Sequence, residues 1–380
     1  MKKHVLYLLL LAVTFSFTSC SALNQLAKSQ KIKKEQEAKA KKNGGDNLNS
    51  RDVYNPNGVR YRDKVFNEFD VIKNLTFLKG DPTWDNKTVN LSIDIYTPKN
   101  DPNPKGRPCF VFYYGGAWAS KMKNGIAVLN SEMAMRGYVA VSGDYRVGFP
   151  QSNGALLCLG NPKKNMPEAA FRAFQDTRAL IRYLRANADK LGIDPNKIYV
   201  AGGSAGGANA VNVAYLNDND IPVEIKSKIG GLDAVGDYKN VSSKPNGVIS
   251  LSGPLIAPPT VMEKQNIPVY LLQGQCDELI PWDYANAFPY CSPDKYPMVS
   301  GCHAMYERLK QVGEKVWFDM VCGGGHDAFG WGFVELNKRM ANFMYLVMTN
   351  QFRTGEYVFI PQVSSCPGKT FPECEKYIKK

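Results

Sequence analysis

The stretch Lys197-Ile-Tyr-Val-Ala-Gly-Gly-Ser-Ala-Gly-Gly207 decides the fold of this chain. Its apolar start, Ile198 to Ala201, predicts a short buried strand, and the small-residue segment 208–216 after it predicts a helix. Between them stands the pattern Gly202-x-Ser204-x-Gly206, which is typical of a nucleophile elbow. Glycines at the flanking positions remove Cβ atoms that would collide in so sharp a turn. The pattern therefore predicts that the Ser204 hydroxyl stands clear at the carboxyl end of a strand.

Glycine and serine also cluster in ordinary turns, so the elbow interpretation depends on its context. No Lys-Ser or Lys-Thr pair follows the glycines, which argues against a phosphate-binding P-loop, and the dinucleotide pattern Gly-x-Gly-x-x-Gly is absent from the sequence. A serine nucleophile is the better interpretation. The backbone N–H of Ala205, at the start of the predicted helix, would then point to the position of an oxyanion.

Composition and charge limit the classes of function. The chain has 380 residues, 44% hydrophobic and 22% charged, as is usual for a globular protein with a substantial core. Its net charge is +12, but half of this charge lies before residue 50 and the remainder forms no long basic run, so we expect no nucleic-acid partner. With three histidines and no Cys-x-x-Cys pair, a zinc site is not expected, and we expect no cofactor of any kind.

Residues 1–20 are interpreted as a processing signal that stays outside the fold. The apolar segment 5–17 within them is too short to span a bilayer. Phe17-Thr-Ser-Cys20 resembles a bacterial lipobox, in which Cys20 becomes the lipidated first residue; because Phe17 replaces the usual leucine, ordinary signal-peptide cleavage is the alternative. We therefore expect an exported protein of the cell envelope, anchored to a membrane by a lipid on Cys20 and followed by a Lys-rich tether at 21–50.

The cysteines agree with export. Eight of them follow Cys20, and an oxidising compartment predicts that some form disulfides, although the sequence leaves their pairing open. Separation along the chain and position after predicted strands suggest three pairs, namely Cys366 with Cys374, Cys291 with Cys302, and Cys276 with Cys322. Cys109 and Cys158 are interpreted as free and buried.

Alternating strands and helices predict a mostly parallel sheet with helices on both faces, in a domain over residues 51–353 followed by a cysteine-containing tail at 354–380. An antiparallel pair at 65–78 and 91–96 is expected to open the sheet. Six further predicted strands bring the total to eight: 109–114, 138–142, 198–201, 248–251, 269–272 and 316–321. The predicted helices are 125–136, 166–191, 208–216, 305–312 and 332–348.

Four further motifs carry a family resemblance. Tyr113-Tyr-Gly-Gly-Ala-Trp118 resembles an oxyanion loop of the His-Gly-Gly-Gly-Trp type, and Gly143-Asp-Tyr-Arg146 resembles an Asp-Tyr-Arg signature. Gln273-Gly-Gln-Cys-Asp277 and Gly323-Gly-Gly-His326 resemble an acid loop and a histidine loop. Together with the elbow, these motifs are similar to those of the esterase and lipase branch of the α/β-hydrolase fold. The resemblance covers about residues 65 to 350 and implies that fold, with its eight-stranded sheet.

The chemistry needs a base beside Ser204, because a serine hydroxyl is a weak nucleophile until an imidazole takes its proton. His4 lies in the signal, and His303 opens a predicted helix. His326 follows the strand 316–321 and a glycine run, so its loop can deliver the imidazole to the serine. We therefore expect His326 to be the base.

The imidazole in turn needs a carboxylate that fixes its tautomer and stabilises the imidazolium. Asp277 follows the strand 269–272 and precedes His326, which gives the order Ser, Asp, His expected of this fold. Glu278 is the competing acid, and the Asp-x-x-Ile-Pro spacing favours Asp277.

The resemblance implies that the N–H groups of Gly116, Ala117 and Ala205 hold the oxyanion. Tyr114 and Ala117 stand where the family has a histidine and a third glycine, and the tyrosine puts the usual anchoring of this loop in doubt. Asp144 and Arg146 are interpreted as a brace for the loop after a strand.

Three aromatic residues flank the predicted catalytic loops, and both pocket lining and core packing stay open for Trp118, Phe329 and Trp331. By analogy with the fold, small cap insertions are expected at 151–167 and 257–265.

The expected function is that of a serine hydrolase that cleaves carboxylic esters, either small molecules or esters carried on a polysaccharide, through an acyl-enzyme. Two alternatives stay open. One is a serine peptidase of the same fold, and the other is an inactive hydrolase-fold protein that binds ligands at the cell surface. The altered oxyanion loop is what keeps the second alternative open.

Overall fold

The structure is a computed structural model, and it describes residues 53–121, 123–149, 162–292, 295–326 and 333–359. Within these residues no helix is both long and apolar enough to cross a membrane, and no cluster of His, Cys, Asp and Glu side chains suits a metal ion. Some predictions fall outside the described residues: the signal with Cys20, the tether 21–50, residues 151–161 of the first cap insertion, Cys158, Phe329, Trp331, and Cys366 and Cys374 of the tail.

One large sheet runs through the described residues, and its strands are β1 Phe69–Pro82, β2 Thr88–Pro98, β3 Arg107–Tyr113, β4 Val139–Gly143, β5 Ile193–Gly203, β6 Gly247–Leu251, β7 Val269–Gly274, β10 Val316–Val321 and β11 Gly355–Phe359. A separate hairpin is formed by β8 Tyr284–Asn286 and β9 Met298–Ser300. The order in the large sheet is β1-β2-β4-β3-β5-β6-β7-β10-β11. β1 and β2 are antiparallel to each other, β2 is antiparallel to β4, and the other pairings are parallel.

Helices connect the parallel strands, and their bounds are α1 Ala127–Ala134, α2 Pro162–Ala186, α3 Ala188–Leu191, α4 Ala205–Tyr215, α5 Val223–Ile229, α6 Cys302–Gln311 and α7 Phe333–Met348. Every residue of β3, β4, β6 and β7 is buried. Strands that are apolar on both faces are stable only when both faces of the sheet are covered. The predicted architecture, a mostly parallel sheet between helices, is therefore confirmed.

The number of strands differs from the prediction, because the large sheet has nine strands and not eight. The additional strand is β11, at residues assigned to the tail, and it pairs in parallel with Trp317–Val321 of β10. Only one side of an edge strand is paired, and its residues 355–358 remain partly or fully exposed. Such a segment lacks the continuous apolar run of a central strand, so its sequence pattern does not predict a strand.

Three other local differences concern connections. Residues 162–167, predicted as part of a cap insertion, form the start of α2. The predicted helix 166–191 is divided, since α2 ends at Ala186 and the short α3 ends at Leu191. The next residue, Gly192, has a φ of 67°, which is favourable for glycine. Neither α5 nor the hairpin of β8 and β9 is predicted from the sequence.

The cysteines correct one expected pair. Cys302 is free and buried, so the predicted pairing of Cys291 with Cys302 is wrong. Cys302 begins α6 and its Sγ lies 3.7 Å from the carbonyl oxygen of Leu272 in β7, inside the core. Cys291 is disulfide-bonded, as are Cys276 and Cys322. Cys109 is free and buried, as expected.

Candidate active site

Ser204 occupies the turn between β5 and α4. Its φ of 53° and ψ of −121° are rare for a residue with a side chain and cost about 1–3 kcal/mol. The surrounding backbone enforces this conformation: a Cβ on Gly202 would lie 2.3 Å from the carbonyl carbon of Gly206, and one on Gly206 would lie 2.2 Å from the Tyr113 oxygen. The turn is therefore the strained elbow that the sequence predicts, with the serine held at its tip.

Asp277 and His326 form a buried pair. His326 Nδ1 lies 2.9 Å from each carboxylate oxygen of Asp277, and the Asp277 side chain is 1% exposed. Asp277 Oδ1 also accepts hydrogen bonds of 2.9 Å from the backbone N–H groups of Leu279 and Ile280. These bonds fix the direction of the carboxylate, which favours the tautomer with the proton on Nδ1 and the lone pair on Nε2.

One short segment after β6 connects Ser204 with His326. The backbone N–H of Ser204 donates to the Leu251 carbonyl at 2.8 Å. The hydroxyl of the next residue, Ser252, donates to the carbonyl of His326 at 3.2 Å. The three residues predicted to form the catalytic group thus lie after the carboxyl ends of β5, β7 and β10, on one edge of the sheet.

The competing acid, Glu278, contacts the same histidine at a different point. Its Oε2 accepts the backbone N–H of His326 at 3.1 Å, whereas the ring nitrogen faces Asp277. Within the described residues the other histidine is His303, whose Nδ1 lies 2.6 Å from the exposed Asp283 and whose ring stacks on Trp282 at a separation of 5.3 Å. That pair lies at the start of α6.

The loop after β3 lies beside the serine. A Cβ on Gly115 would lie 3.2 Å from the Ser204 Cβ. Gly116 and Ala117 have φ values of 116° and 51°, so Ala117 adopts the left-handed conformation that glycine favours. Within the described part of the chain, the N–H groups of Gly116, Ala117 and Ala205 donate to no protein acceptor. These three N–H groups are the predicted oxyanion donors, and the described residues leave them without a protein acceptor.

Two tyrosines anchor this loop. The Tyr145 hydroxyl donates to the carbonyls of Tyr114 at 3.1 Å and Gly115 at 3.3 Å, and the Tyr114 hydroxyl donates to Asp144 Oδ1 at 2.9 Å. The rings of Tyr114 and Tyr145 stack at 4.6 Å. Burial raises the pKa of the Tyr145 phenol well above its ordinary value, so it stays a donor. The anchoring that the sequence left in doubt is thus supplied by Tyr145, with Tyr114 bound to Asp144.

Arg146 braces the loop after β4 against helix α2. Its backbone N–H and its Nε donate to the fully buried carboxylate of Asp176 at 2.7 and 2.9 Å, and its Nη1 donates to the Pro82 carbonyl at 3.0 Å. Burial raises the pKa of Asp176, and the Arg146 charge opposes this rise. Removing one partner of such a pair typically costs about 3–5 kcal/mol, which fits the predicted role of a brace.

Trp118 belongs to the core, which decides between the two interpretations left open for it. It is 1% exposed, and its indole N–H donates to Asn209 Oδ1 at 2.9 Å. Its backbone carbonyl accepts the N–H of Gly148 at 2.7 Å. Trp118 therefore connects the loop after β3 with α4 and with the loop after β4, and it does not line a pocket.

Sequence reasoning missed three residues that support the site, namely Tyr145, Ser252 and Gln273. Gln273 is fully buried, and its Nε2 donates to the carbonyl of Ile280 at 3.0 Å and lies 3.4 Å from Asp277 Oδ2. Its Oε1 accepts the Cys302 N–H at 2.7 Å. Gln273 and Tyr145 lie inside motifs that the sequence singles out, but a motif does not reveal which distant carbonyl a side chain reaches.

Parts of this chain match known proteins. Residues 93–255 match the model of the BD-FAE family, a range that includes Ser204 and ends before Asp277. Esterase LipC of Mycobacterium tuberculosis is 38% identical over 130 residues, which are 34% of this chain and 27% of LipC. Carboxylesterase 3 of Homo sapiens is 32% identical over 123 residues, 31% of this chain and 19% of that protein. The chain therefore spans less than a third of the length of these curated relatives.

Solved structures show the fold. Thermogutta terrifontis esterase 2 phosphorylated by paraoxon matches with a TM-score of 0.51 and 22% identity, over 78% of this chain and 100% of that one. With the strand order and the elbow described above, this likeness establishes that the chain has the α/β-hydrolase fold.

The Tyr145 anchor predicts a local effect that separates it from an ordinary buried hydroxyl. Tyr145→Phe leaves two carbonyls without their donor, and we expect it to lower the free energy of unfolding by about 1–3 kcal/mol. Tyr138→Phe is the matched control, because its hydroxyl donates to the Tyr61 carbonyl at 2.7 Å, on another part of the molecule. Amide hydrogen exchange of residues 114–119 should be faster in Tyr145→Phe alone, and equal exchange in both variants would contradict the anchor.

Proposed function

We propose that this protein is a serine hydrolase that cleaves carboxylic esters with Ser204, His326 and Asp277. The observation that carries the proposal is the buried Asp277–His326 pair, whose Nδ1–carboxylate distances are 2.9 Å, on the sheet edge where the strained elbow holds Ser204. The matched relatives named above are esterases, which supports the same reaction class. Substrates are proposed to be small esters or acyl groups on a polysaccharide.

In the first half of the reaction, His326 Nε2 takes the Ser204 proton as Oγ attacks the ester carbonyl. The carboxylate of Asp277 stabilises the imidazolium that forms. The developing oxyanion accepts hydrogen bonds from the N–H groups of Gly116, Ala117 and Ala205, which the described residues leave without an acceptor. Each such donor contributes about 3 kcal/mol to stabilisation of the transition state.

Collapse of this first intermediate completes acylation, because the imidazolium of His326 gives its proton to the leaving alcohol and the acyl group remains on Ser204. Water then attacks the acyl-enzyme while His326 takes its proton, and the same three N–H groups hold the second oxyanion. Collapse of this intermediate releases the carboxylic acid and returns the proton to Ser204. Each proton and each leaving group is thereby accounted for by groups of this chain and one water.

The alternative of an inactive binding protein arose from Ala117 and Tyr114 in the oxyanion loop. In the structure, Ala117 adopts the left-handed backbone conformation despite its Cβ, and the Tyr114 hydroxyl donates a hydrogen bond to Asp144. Both features favour a competent loop, so the hydrolase is the preferred proposal. No feature of the described residues favours a peptidase over an esterase.

We also propose that the protein is exported and anchored by a lipid on Cys20. The lipobox-like sequence supports this location. The disulfide bonds of Cys276, Cys291 and Cys322 support it independently, because disulfides persist mainly in oxidising compartments. We expect metabolic labelling with a fatty-acid analogue to mark the wild-type chain in a bacterial host and not Cys20→Ser, and equal labelling of both would contradict the anchor.

An activated serine can be tested with a fluorophosphonate probe. We expect the probe to label the folded wild-type protein and not Ser204→Ala, because only a serine whose proton is taken by a base reacts readily. Hydrolysis of nitrophenyl acetate should fall on the order of 10⁴-fold or more in the same variant. Heat-denatured wild-type protein is the control for labelling that does not need the fold. Absence of labelling in the folded wild type would refute an activated serine.

Two Asp–His pairs among the described residues offer a matched test of the acid. Asp277→Asn keeps the size of the side chain but removes the charge that stabilises the imidazolium, so we expect kcat to fall roughly 10³–10⁴-fold. Asp283→Asn makes the same change beside His303, and kcat should stay within about twofold of wild type. Circular dichroism checks that both variants fold. A larger loss of kcat in Asp283→Asn than in Asp277→Asn would contradict the assignment of Asp277 as the acid.

A further inference from the structure

Two neighbouring carboxylates hold His326 at two different points. Asp277 contacts the imidazole Nδ1 at 2.9 Å, and Glu278 Oε2 accepts the backbone N–H of the same histidine at 3.1 Å. In the proposed mechanism Asp277 acts on the ring, but the contact of Glu278 has no part in it. A carboxylate bound to the main chain of a catalytic residue is a candidate for setting where that residue stands.

The turn at Asp277 explains why Glu278 can reach the histidine. Asp277 Oδ1 accepts the N–H groups of Leu279 and Ile280, so its side chain is directed inward and is nine-tenths or more buried. The following side chain is exposed, and it extends to the backbone of the neighbouring loop. Because Glu278 remains in contact with water, its hydrogen bond to His326 carries little desolvation cost, and a charged acceptor makes it stronger than a neutral one.

The other contacts of this loop hold residues before His326 or the far side of its peptide. The Gly324 carbonyl accepts the Cys276 N–H at 2.8 Å, and a Cβ on Gly274 would lie 2.2 Å from the Gly325 oxygen. Ser252 donates to the His326 carbonyl. Glu278 is the contact on the N–H side of His326 itself. A displacement of about 1 Å in a reacting group can cost on the order of 10²-fold in rate, so this contact matters for proton transfer.

We propose that Glu278 is a positioning residue, which acts through the main chain of His326 to keep the imidazole aligned between Asp277 and Ser204. This inference rests on the proposed function of the site. It assigns a role to the residue that competes with Asp277 in the sequence, and it explains how both acids of the Asp-Glu pair serve one histidine.

The hydrogen bond and the charge of Glu278 can be separated with two variants. Glu278→Ala removes both, and we expect kcat to fall about tenfold with KM unchanged, the rate equivalent of one hydrogen bond to a charged group. Glu278→Gln keeps an oxygen that accepts the His326 N–H, so its kcat should stay within about twofold of wild type. Glu307→Ala is the control, since Glu307 Oε1 lies 4.0 Å from the ring of the other histidine, His303.

The pH profile separates the charge of Glu278 from its hydrogen bond to the His326 main chain. Of the described charged groups, Asp277 and Glu278 contact His326. Tyr290, whose pKa is raised by burial, lies near enough to Glu278 for that carboxylate to raise it further. Both Glu278 variants remove a negative charge near the imidazolium, which lowers the pKa of His326. The acidic limb of kcat/KM should therefore move to lower pH in both variants, although only Glu278→Ala loses kcat.

Three results in the Glu278 variants together test the proposal. Loss of kcat in Glu278→Ala, its retention in Glu278→Gln, and faster exchange of the His326 amide proton in Glu278→Ala alone would support the proposal. Equal losses in both variants, or unchanged kcat and unchanged amide exchange in Glu278→Ala, would overturn it. Failure of the proposed function is a different result: fluorophosphonate labelling would then be absent from the wild type, while the exchange of the His326 amide would still report whether Glu278 holds it.

Discussion

Contact between backbones around the first turn of α4 is the constraint on which the site depends. A Cβ on Gly206 would lie 2.2 Å from the Tyr113 oxygen at the end of β3, and one on Gly253, after β6, would lie 2.3 Å from the Gly207 carbonyl carbon. These distances leave no room for a side chain. Since β3, β5 and β6 all end against this turn, its glycines allow Ser204 to stand next to the loop at Gly115.

The loops around the elbow are supported by polar groups inside the core. Asp176 of α2 holds Arg146, and Asn209 of α4 holds Trp118. Tyr145 lies next to Arg146 and binds the carbonyls of the loop after β3. A buried polar network of this kind is costly when one member is removed, so it gives the loops one defined arrangement. In physical terms, the left-handed conformation of Ala117 persists because its neighbours on both sides are held.

How much of this could be predicted from sequence depends on how local each signal is. The sequence predicts the elbow glycines, Asp277 after β7 and His326 after β10, because each of these residues lies within a few positions of a recognisable strand. The strand β11 and the hydroxyl contacts of Tyr145 depend on partners some 30 or more residues away, which no local pattern encodes. Cys302 shows the opposite error, because closeness in sequence to Cys291 suggested a bond, although its thiol faces the core at Leu272.

The two halves of the site are therefore built by different physical means. On the serine side, geometry follows from the absence of side chains, so added atoms can only disturb it. On the histidine side, individual hydrogen bonds made by Gln273, Glu278 and Ser252 support the loops that carry Asp277 and His326, and each contributes a modest, separable free energy. Cys276 and Cys322, which are both disulfide-bonded, lie in or next to those same two loops. In the proposed mechanism, substitutions on the histidine side should therefore lower the rate of proton transfer by moderate amounts, whereas a side chain added at the elbow glycines should displace Ser204 completely.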